Sequence, residues 1–338
     1  MRRPLSIALK FISLTAVVIT LSACSTTSTK NSCIVNRAAF DMGSGSTKMV
    51  VARVNKCDLK IENLLLEAQR PIGFKQDLID SKDNKFSNKI ISAATNSLME
   101  LKAKAQSLGA TEFSAMATSA FRTANNGKEV LNLLAKRTGM NLKIINQTTE
   151  ARLGYLGAKN LILDKRPFIV WDIGGGSMQL SHRDEKGVWT HYLGKIASVS
   201  FKDQVLKKLF KKNNRSPNPL GKRRALKAID LSRKAAEKVP AFFKDLKNYN
   251  IYGIGGVHYF SVRKQTGIKT KTYQQNDVYT TLLKRSKLND RQIGGPYAQT
   301  DVTNLALVLG HMQKMNIAKV KTLKVNMAHG LLLHNQSW

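Results

Sequence analysis

Two glycine-rich turns in this chain repeat one another. Ala39-Phe40-Asp41-Met42-Gly43-Ser44-Gly45-Ser46 returns as Val170-Trp171-Asp172-Ile173-Gly174-Gly175-Gly176-Ser177. Each turn lies between two apolar, strand-like runs: Ile34 to Phe40 and Met49 to Val54, then Phe168 to Trp171 and Met178 to Ser181. An aspartate at a strand end, glycines whose backbone N–H groups can approach an oxyanion, and a hydroxyl suit a phosphate held near a metal. One such turn alone reads as an ordinary hairpin. Because the aspartate, two glycines and the serine recur in register, two copies predict a duplicated lobe with a phosphate cleft between the copies.

The N-terminus reads as a targeting segment rather than part of the fold. Arg2, Arg3 and Lys10 precede or flank an apolar core from Phe11 to Leu21 that is short for a bilayer span. It ends in Leu21-Ser22-Ala23-Cys24, which resembles a bacterial lipobox, so residues 1–23 are expected to be removed and Cys24 lipidated. An ordinary secretory signal with an incidental cysteine is the alternative. Residues 24–33 are polar and read as a tether. The expected location is the cell envelope, lipid-anchored and facing the periplasm or exterior. Ser25 after the cysteine favours the outer membrane of a Gram-negative cell. In such an oxidising compartment Cys33 and Cys57, placed symmetrically about Gly45, are expected to face each other across the first hairpin as a disulfide rather than as two free thiols.

A formal charge of +33 from 55 Lys plus Arg against 22 Asp plus Glu calls for a polyanionic partner, unless the whole proteome is basic. The cations are densest from Lys202 to Lys247, where apolar spacing gives two amphipathic helices broken at Ser216-Pro217-Asn218-Pro219. A solvated lysine face and a polyanion-guiding surface both fit this segment. Aromatic interleaving is sparse there, so nucleic-acid binding is not supported.

Between the glycine turns, helical patterns at Ser87 to Leu108 and Glu129 to Thr138 alternate with strand-like runs at Phe113 to Thr118 and Leu142 to Ile145. This alternation predicts an α/β architecture with a mostly parallel sheet after the opening hairpin. His258, His311 and His329 read as structural residues, and no His/Cys cluster has zinc spacing.

Four segments together carry a family resemblance: Asp41 to Ser46, Ala117-Thr118-Ser119-Ala120-Phe121-Arg122, Thr149-Glu150-Ala151-Arg152-Leu153, and Asp172 to Ser177. In order and spacing the chain resembles the exopolyphosphatase / guanosine pentaphosphate phosphohydrolase family (Ppx/GppA) of actin-like, ribonuclease H-fold proteins, as a short, lipoprotein-anchored member. The similarity runs from Val35 to about Leu180 and thins beyond it. Ile251 to Gly256 falls where the family has a third glycine turn, and Gly330-Leu331-Leu332-Leu333 resembles its C-terminal segment. The resemblance implies two actin-like lobes, residues 34–165 and 166–338, each a mixed sheet with an opening hairpin and flanking helices, and an active site in the cleft between them.

It also implies roles. Ser44, Gly45 and Ser46 would cradle phosphate from one lobe and Gly174, Gly175, Gly176 and Ser177 from the other. Asp41 and Asp172 would hold magnesium, or manganese in its place. Glu150 would activate the water as general base, and Arg122 would contact phosphate. Read without the resemblance, Glu150 is an acid at a helix start and Arg122 a cation near a turn. Two departures bear on substrate choice: Gly45 replaces the family's usual Asn, and Ala328-His329 replaces an Arg-Glu pair.

The expected activity is metal-dependent hydrolysis of a terminal phosphoanhydride, with polyphosphate or another polyphosphorylated anion as substrate. The alternatives are a non-catalytic polyanion-binding lipoprotein on the same fold and an actin-like ATPase or kinase. The sequence leaves the oligomeric state open, a homodimer included.

Overall fold

The first hairpin forms because its two strands are apolar on both sides and can be covered on both. The computed structural model describes residues 33–210, 214 and 216–338. The leader 1–23, the lipidation candidate Cys24 and the tether up to residue 32 lie outside the described residues. Strand β1 (Ile34–Met42) pairs antiparallel with β2 (Ser46–Asn55), which pairs with β3 (Lys60–Pro71). Helices α1 (Phe74–Asp80) and α2 (Asn88–Ser107) lead to β4 (Glu112–Ala117), which runs parallel to β1. Next come α3 (Ser119–Thr123), α4 (Gly127–Thr138), β5 (Asn141–Ile144) and α5 (Gln147–Lys159). The sheet order is β3-β2-β1-β4-β5.

The second lobe repeats this plan. Strands β6 (Phe168–Ile173), β7 (Met178–Arg183) and β8 (Trp189–Gly194) form an antiparallel meander, followed by α6 (Ser198–Leu209) and α7 (Gly221–Ala236). Strand β9 (Asn250–Ile254) lies parallel to β6 and runs into a π-helical turn, Val257–Val262, and α8 (Arg263–Thr266). The chain continues through β10 (Thr272–Gln274), α9 (Gln275–Arg285), α10 (Asp290–Ile293) and α11 (Ala298–Lys314). It closes with β11 (Lys319–Thr322) and α12 (Met327–Leu332). The order β10-β11-β9-β6-β7-β8 reproduces the first sheet's three antiparallel strands beside parallel ones. The expected two-lobe, actin-like α/β fold is therefore the fold observed.

Local chemistry explains the boundaries. The Ser87 side chain caps α2 by accepting from Ile90 N, and Gly139, at φ 60, ends α4 in the left-handed conformation that glycine adopts without strain. Phe40, Met49 and Val51 face a core shared with α2 and α4, whereas Ala39, Val50 and Ala52 face one shared with α5 and α12. Being covered on both faces is what the unbroken apolar runs of β1 and β2 require. Helix α12 follows the second sheet in sequence but packs on the first, so a boundary at residue 166 does not separate the two packing units. Gly157 and Gly330 let α5 and α12 approach closely: a Cβ at Gly330 would lie 1.8 Å from the Leu153 carbonyl oxygen. The second core holds a buried polar cluster. Trp171 lies between His258, bonded to the Tyr273 hydroxyl at 2.6 Å, and His311, 2.9 Å from Ser232 Oγ.

Cys33 and Cys57 are joined, with Cα atoms 5.4 Å apart. The strand register is one residue off the symmetry about Gly45, because the turn is centred between Ser44 and Gly45. Lys56 N donates to the Cys33 carbonyl, and Cys57 sits one step beyond.

Three outcomes follow from this packing. Alkylation and mass spectrometry of unreduced protein should find neither Cys33 nor Cys57 modified, and reduction should cost about 3 kcal/mol of unfolding free energy. Gly330→Ala should destabilise by about 1–3 kcal/mol or more in a denaturant titration, while Gly256→Ala, with no atom within 4 Å of the added Cβ, should stay within about 0.5 kcal/mol of wild type. Burial lowers His258 to about 3 and His311 to about 4 from an ordinary 6.5. The unfolded chain therefore binds protons that the native state refuses. The stability these two histidines contribute should be complete above pH 6.5 and fall as pH drops below it, by up to about 1.4 kcal/mol per pH unit for each. Because raised carboxyls such as Asp172 act with the opposite sign over the same window, the check is a comparison: a His258→Phe variant whose midpoint shifts between pH 7 and 5 just as wild type's does would contradict the neutral assignment.

Candidate active site

The repeat seen in the sequence is a repeat of hydrogen bonds. Gly43 N donates to Ser46 O at 3.0 Å, and Gly174 N donates to Ser177 O at 2.9 Å, so both turns close in the same way. In the first, the carbonyls of Ser44 and Gly45 accept from Lys75 and Ile72 at the start of α1. In the second, those of Gly174 and Gly175 accept from Ser198 and Val199 at the start of α6. With the carbonyl oxygens held there, an anion meets little repulsion from them. The backbone N–H groups of Ser44, Gly45, Gly175 and Gly176 have no acceptor among the described residues, which leaves them for an oxyanion. Gly174 departs from its expected place in the cradle, since its N–H is spent on closing the turn.

The two turns touch. A Cβ at Gly175 would lie 3.1 Å from Ser44 Cβ, and one at Gly176 would lie 2.8 Å from Ser119 Oγ and 2.9 Å from Ser44 Oγ. Only glycine permits this approach, which brings hydroxyls of the first lobe onto the backbone of the second. Glu150 sits in the first turn of α5, whose N-cap Asn146 accepts from Thr149 N at 2.8 Å. Gln147 ties the same helix start to the second sheet, donating to Met178 O and Gly194 O. The Glu150 carboxylate accepts from Arg122 Nη1 at 2.9 Å and from Ser177 Oγ at 3.2 Å, so it is held from both lobes. Arg122 Nη1 also donates to Ile145 O. The rest of its guanidinium makes no hydrogen bond among the described residues. Burial raises the Glu150 pKa above its ordinary value against the pull of Arg122, with Asp41 pushing the same way as burial. A carboxylate made more basic in this way is a better proton acceptor.

Asp41 and Asp172 end equivalent strands, and with Glu150 they lie within electrostatic reach of one another. Lys48 Nζ donates to Asp41 Oδ2 at 2.9 Å. Burial works to lower the Lys48 pKa, yet Asp41, with Asp172 and Tyr297 behind it, holds the ammonium above its ordinary value. Burial pushes Asp172 up to about 7; Lys48 pulls it down, while Glu150 and Asp41 push it up. The third glycine turn abuts this group, for a Cβ at Gly255 would lie 2.4 Å from Asp172 Oδ1. Among the described residues no group of three or more His, Cys, Asp or Glu side chains is arranged as a metal cage. Two aspartate donors are nevertheless what magnesium takes when water and phosphate complete its shell. Three carboxylates against Lys48 and Arg122 also leave the cleft short of positive charge for a phosphate, so the donor set fits a divalent cation.

Three contributors were not singled out in the sequence: Lys48, Ser119 and Gln179. Lys48 pairs with Asp41 across the first hairpin and Gln179 with Asp172 across the second. Both stand seven residues after their aspartate, a spacing that a paired hairpin converts into adjacency. Gln179 Nε2 is buried without a partner among the described residues.

With this geometry in hand, comparison with known proteins is informative. The model of the Ppx/GppA phosphatase family matches residues 50–215. Exopolyphosphatase 1 of Mycobacterium leprae is 34% identical over 110 residues, 31% of this chain and 32% of that protein. The chain spans less than half the length of the sequence relatives it matches. Among solved structures, the Aquifex aeolicus Ppx/GppA family member superposes with a TM-score of 0.70 at 18% identity, covering 89% of this chain and 97% of that one. An exopolyphosphatase from Cytophaga hutchinsonii gives 0.73 at 13% identity, covering 88% and 96%. At such identities the solved structures speak for a shared fold, and the family-model match includes the second glycine turn, Asp172 to Ser177. Together they show that residues 50–215 are similar to the Ppx/GppA phosphatase family and that the chain shares the fold of its solved members.

Proposed function

We propose that the protein hydrolyses the terminal phosphoanhydride of polyphosphate, as an envelope enzyme anchored through lipidated Cys24. The observation that carries the reading is Glu150, held between Arg122 and Ser177 at the point where two turns offer unpartnered N–H groups. In this reading Ser44, Gly45, Gly175 and Gly176 bind the phosphoryl oxygens through their backbones, and Arg122 adds its free N–H groups. Glu150 takes a proton from water as the water attacks the terminal phosphorus, the P–O–P bond breaks, and orthophosphate and a shortened chain leave. Magnesium, or manganese in its place, would be held by Asp41 and Asp172, and when bound it neutralises charge on the phosphoryl oxygens. Support for a long polyanion comes from an open concavity beside α7 lined by Lys208, Lys222, Arg223, Arg224 and Lys227. Such a field raises the local concentration of an anionic chain.

The test is phosphate release from polyphosphate by the full chain with magnesium or manganese. Glu150→Gln should keep polyphosphate binding while turnover falls by roughly 10²–10⁴, since an amide cannot accept the proton. Wild type that binds polyphosphate but releases no phosphate with either metal would make the protein a binding module instead. A Glu150→Gln rate equal to wild type would remove Glu150 from the role of base.

A further inference from the structure

Helix α5 carries Glu150 but stands between the lobes, and apolar contacts hold it from both sides. Leu153 faces a core shared with Ala39, Val50 and α12, whereas Tyr155 and Ala158 pack with Val170 and Ile254 of the second sheet. Apolar contact is non-directional, so it keeps a helix in place without fixing how far it has slid along its axis. A base needs that position fixed, to well under an ångström. The phosphorus it serves is located by both glycine turns, and the N–H groups of Gly175 and Gly176 belong to the second lobe. On the first-lobe side Arg122 secures the Glu150 carboxylate at 2.9 Å; on the second it has a 3.2 Å contact with Ser177 Oγ.

Gln147 supplies a firmer hold on the second lobe. It is the first residue of α5, three before Glu150 and seven before Gly154, a spacing that sets all three on one side of the helix. That side follows the second hairpin through its turn. A Cβ at Gly154 would lie 3.6 Å from Asp172 Oδ2, Glu150 meets Ser177 Oγ, and Gln147 meets Met178 O. The Gln147 contact is double. Its Nε2 donates to Met178 O at 3.1 Å and to Gly194 O at 2.9 Å, and these two residues are cross-strand partners where β7 begins and β8 ends. One amide thus spends both its N–H bonds on a single rung of the ladder. Two directional bonds to a fixed pair of carbonyls specify a position, which a sliding apolar face does not.

We infer that Gln147 is a positioning residue for the hydrolytic step: its amide, bonded to both carbonyls of the Met178–Gly194 pair, sets the register of α5 on the second lobe and with it the reach of Glu150 toward the phosphorus. The inference rests on the hydrolase reading above and adds to it a residue that acts through Glu150. It also explains why the cleft needs no large interlobe interface at this point. The helix that carries the base is pinned to the hairpin that carries half of the phosphate cradle, so base and cradle keep their spacing when the lobes shift around them.

Two variants of the full chain separate this role from simple packing. Gln147→Met keeps the length and bulk of the side chain and loses both donors. Gln147→Asn keeps the amide but is one methylene short of the two carbonyls. Both should lower kcat for phosphate release from polyphosphate by roughly ten- to a hundredfold, the scale of a misplaced base, with KM within about threefold of wild type because the cradle is untouched. Hydrogen exchange followed by mass spectrometry should show the first turns of α5, residues 147–154, exchanging about fivefold faster or more, with the remaining peptides unchanged. The asparagine variant carries the test if the methionine variant does not fold. A methionine variant with wild-type kcat and exchange, beside an impaired asparagine variant, would make Gln147 a filler of space and overturn the inference. So would a raised KM at unchanged kcat, or faster exchange throughout the chain with a lowered melting temperature. Wild type that releases no phosphate defeats the hydrolase reading instead, and the exchange pattern at 147–154 then decides by itself whether Gln147 pins α5.

Discussion

The site depends on the contact between the two glycine turns. Everything chemical in the cleft comes from one lobe or the other, and these turns bring the two sets within reach. Side chains at 175 and 176 would hold the turns apart, for Ser44 and Ser119 already occupy the space where a Cβ would go. Because their carbonyls are bonded into the starts of α1 and α6, each turn presents N–H groups as a fixed surface rather than a loop searching for partners. Donors oriented before substrate arrives need no reorganisation during reaction, which is how such surfaces lower barriers.

Around that contact the charges are frustrated by design. Three carboxylates, Asp41, Glu150 and Asp172, lie within electrostatic reach of one another, and burial raises Glu150 and Asp172 above their ordinary values. Arg122 and Lys48 hold the arrangement together without balancing it. In the reading proposed above, a divalent cation held by Asp41 and Asp172 would relieve that repulsion before a phosphate enters.

Much of this was legible in the chain because it is written locally. Asp-x-Gly-x-Gly-Ser between apolar runs encodes a turn, a strand end and an oxyanion surface within eight residues, and doing so twice implied two lobes. Glu150 was legible through its flanking segment, although its partners were not. The features that escaped need pairing or distant packing. Lys48 and Gln179 look like alternating polar residues of a strand until the register sets them opposite aspartates. Gly174 looked equivalent to its neighbours, and only the closing hydrogen bond to Ser177 O separates it from them. The disulfide partners were legible from near-symmetry, while the one-residue offset came from where the turn is centred. Least legible was α12: an apolar Gly-Leu-Leu-Leu run states that it will be buried but not on which sheet.

That last placement has a kinetic meaning. Arg37 in β1 donates to the carbonyl of Leu332, a contact across 295 residues of chain. The first strands to be synthesised thus keep one apolar face uncovered until nearly the whole described chain has emerged. Long-range closures of this kind are slow and leave strand surface open to wrong partners meanwhile. Glu150, on the helix that α12 braces, gains its final support only after Met327–Leu332 has docked. Assembly of the reactive cleft is in this way timed to the arrival of a segment that contributes none of its chemistry.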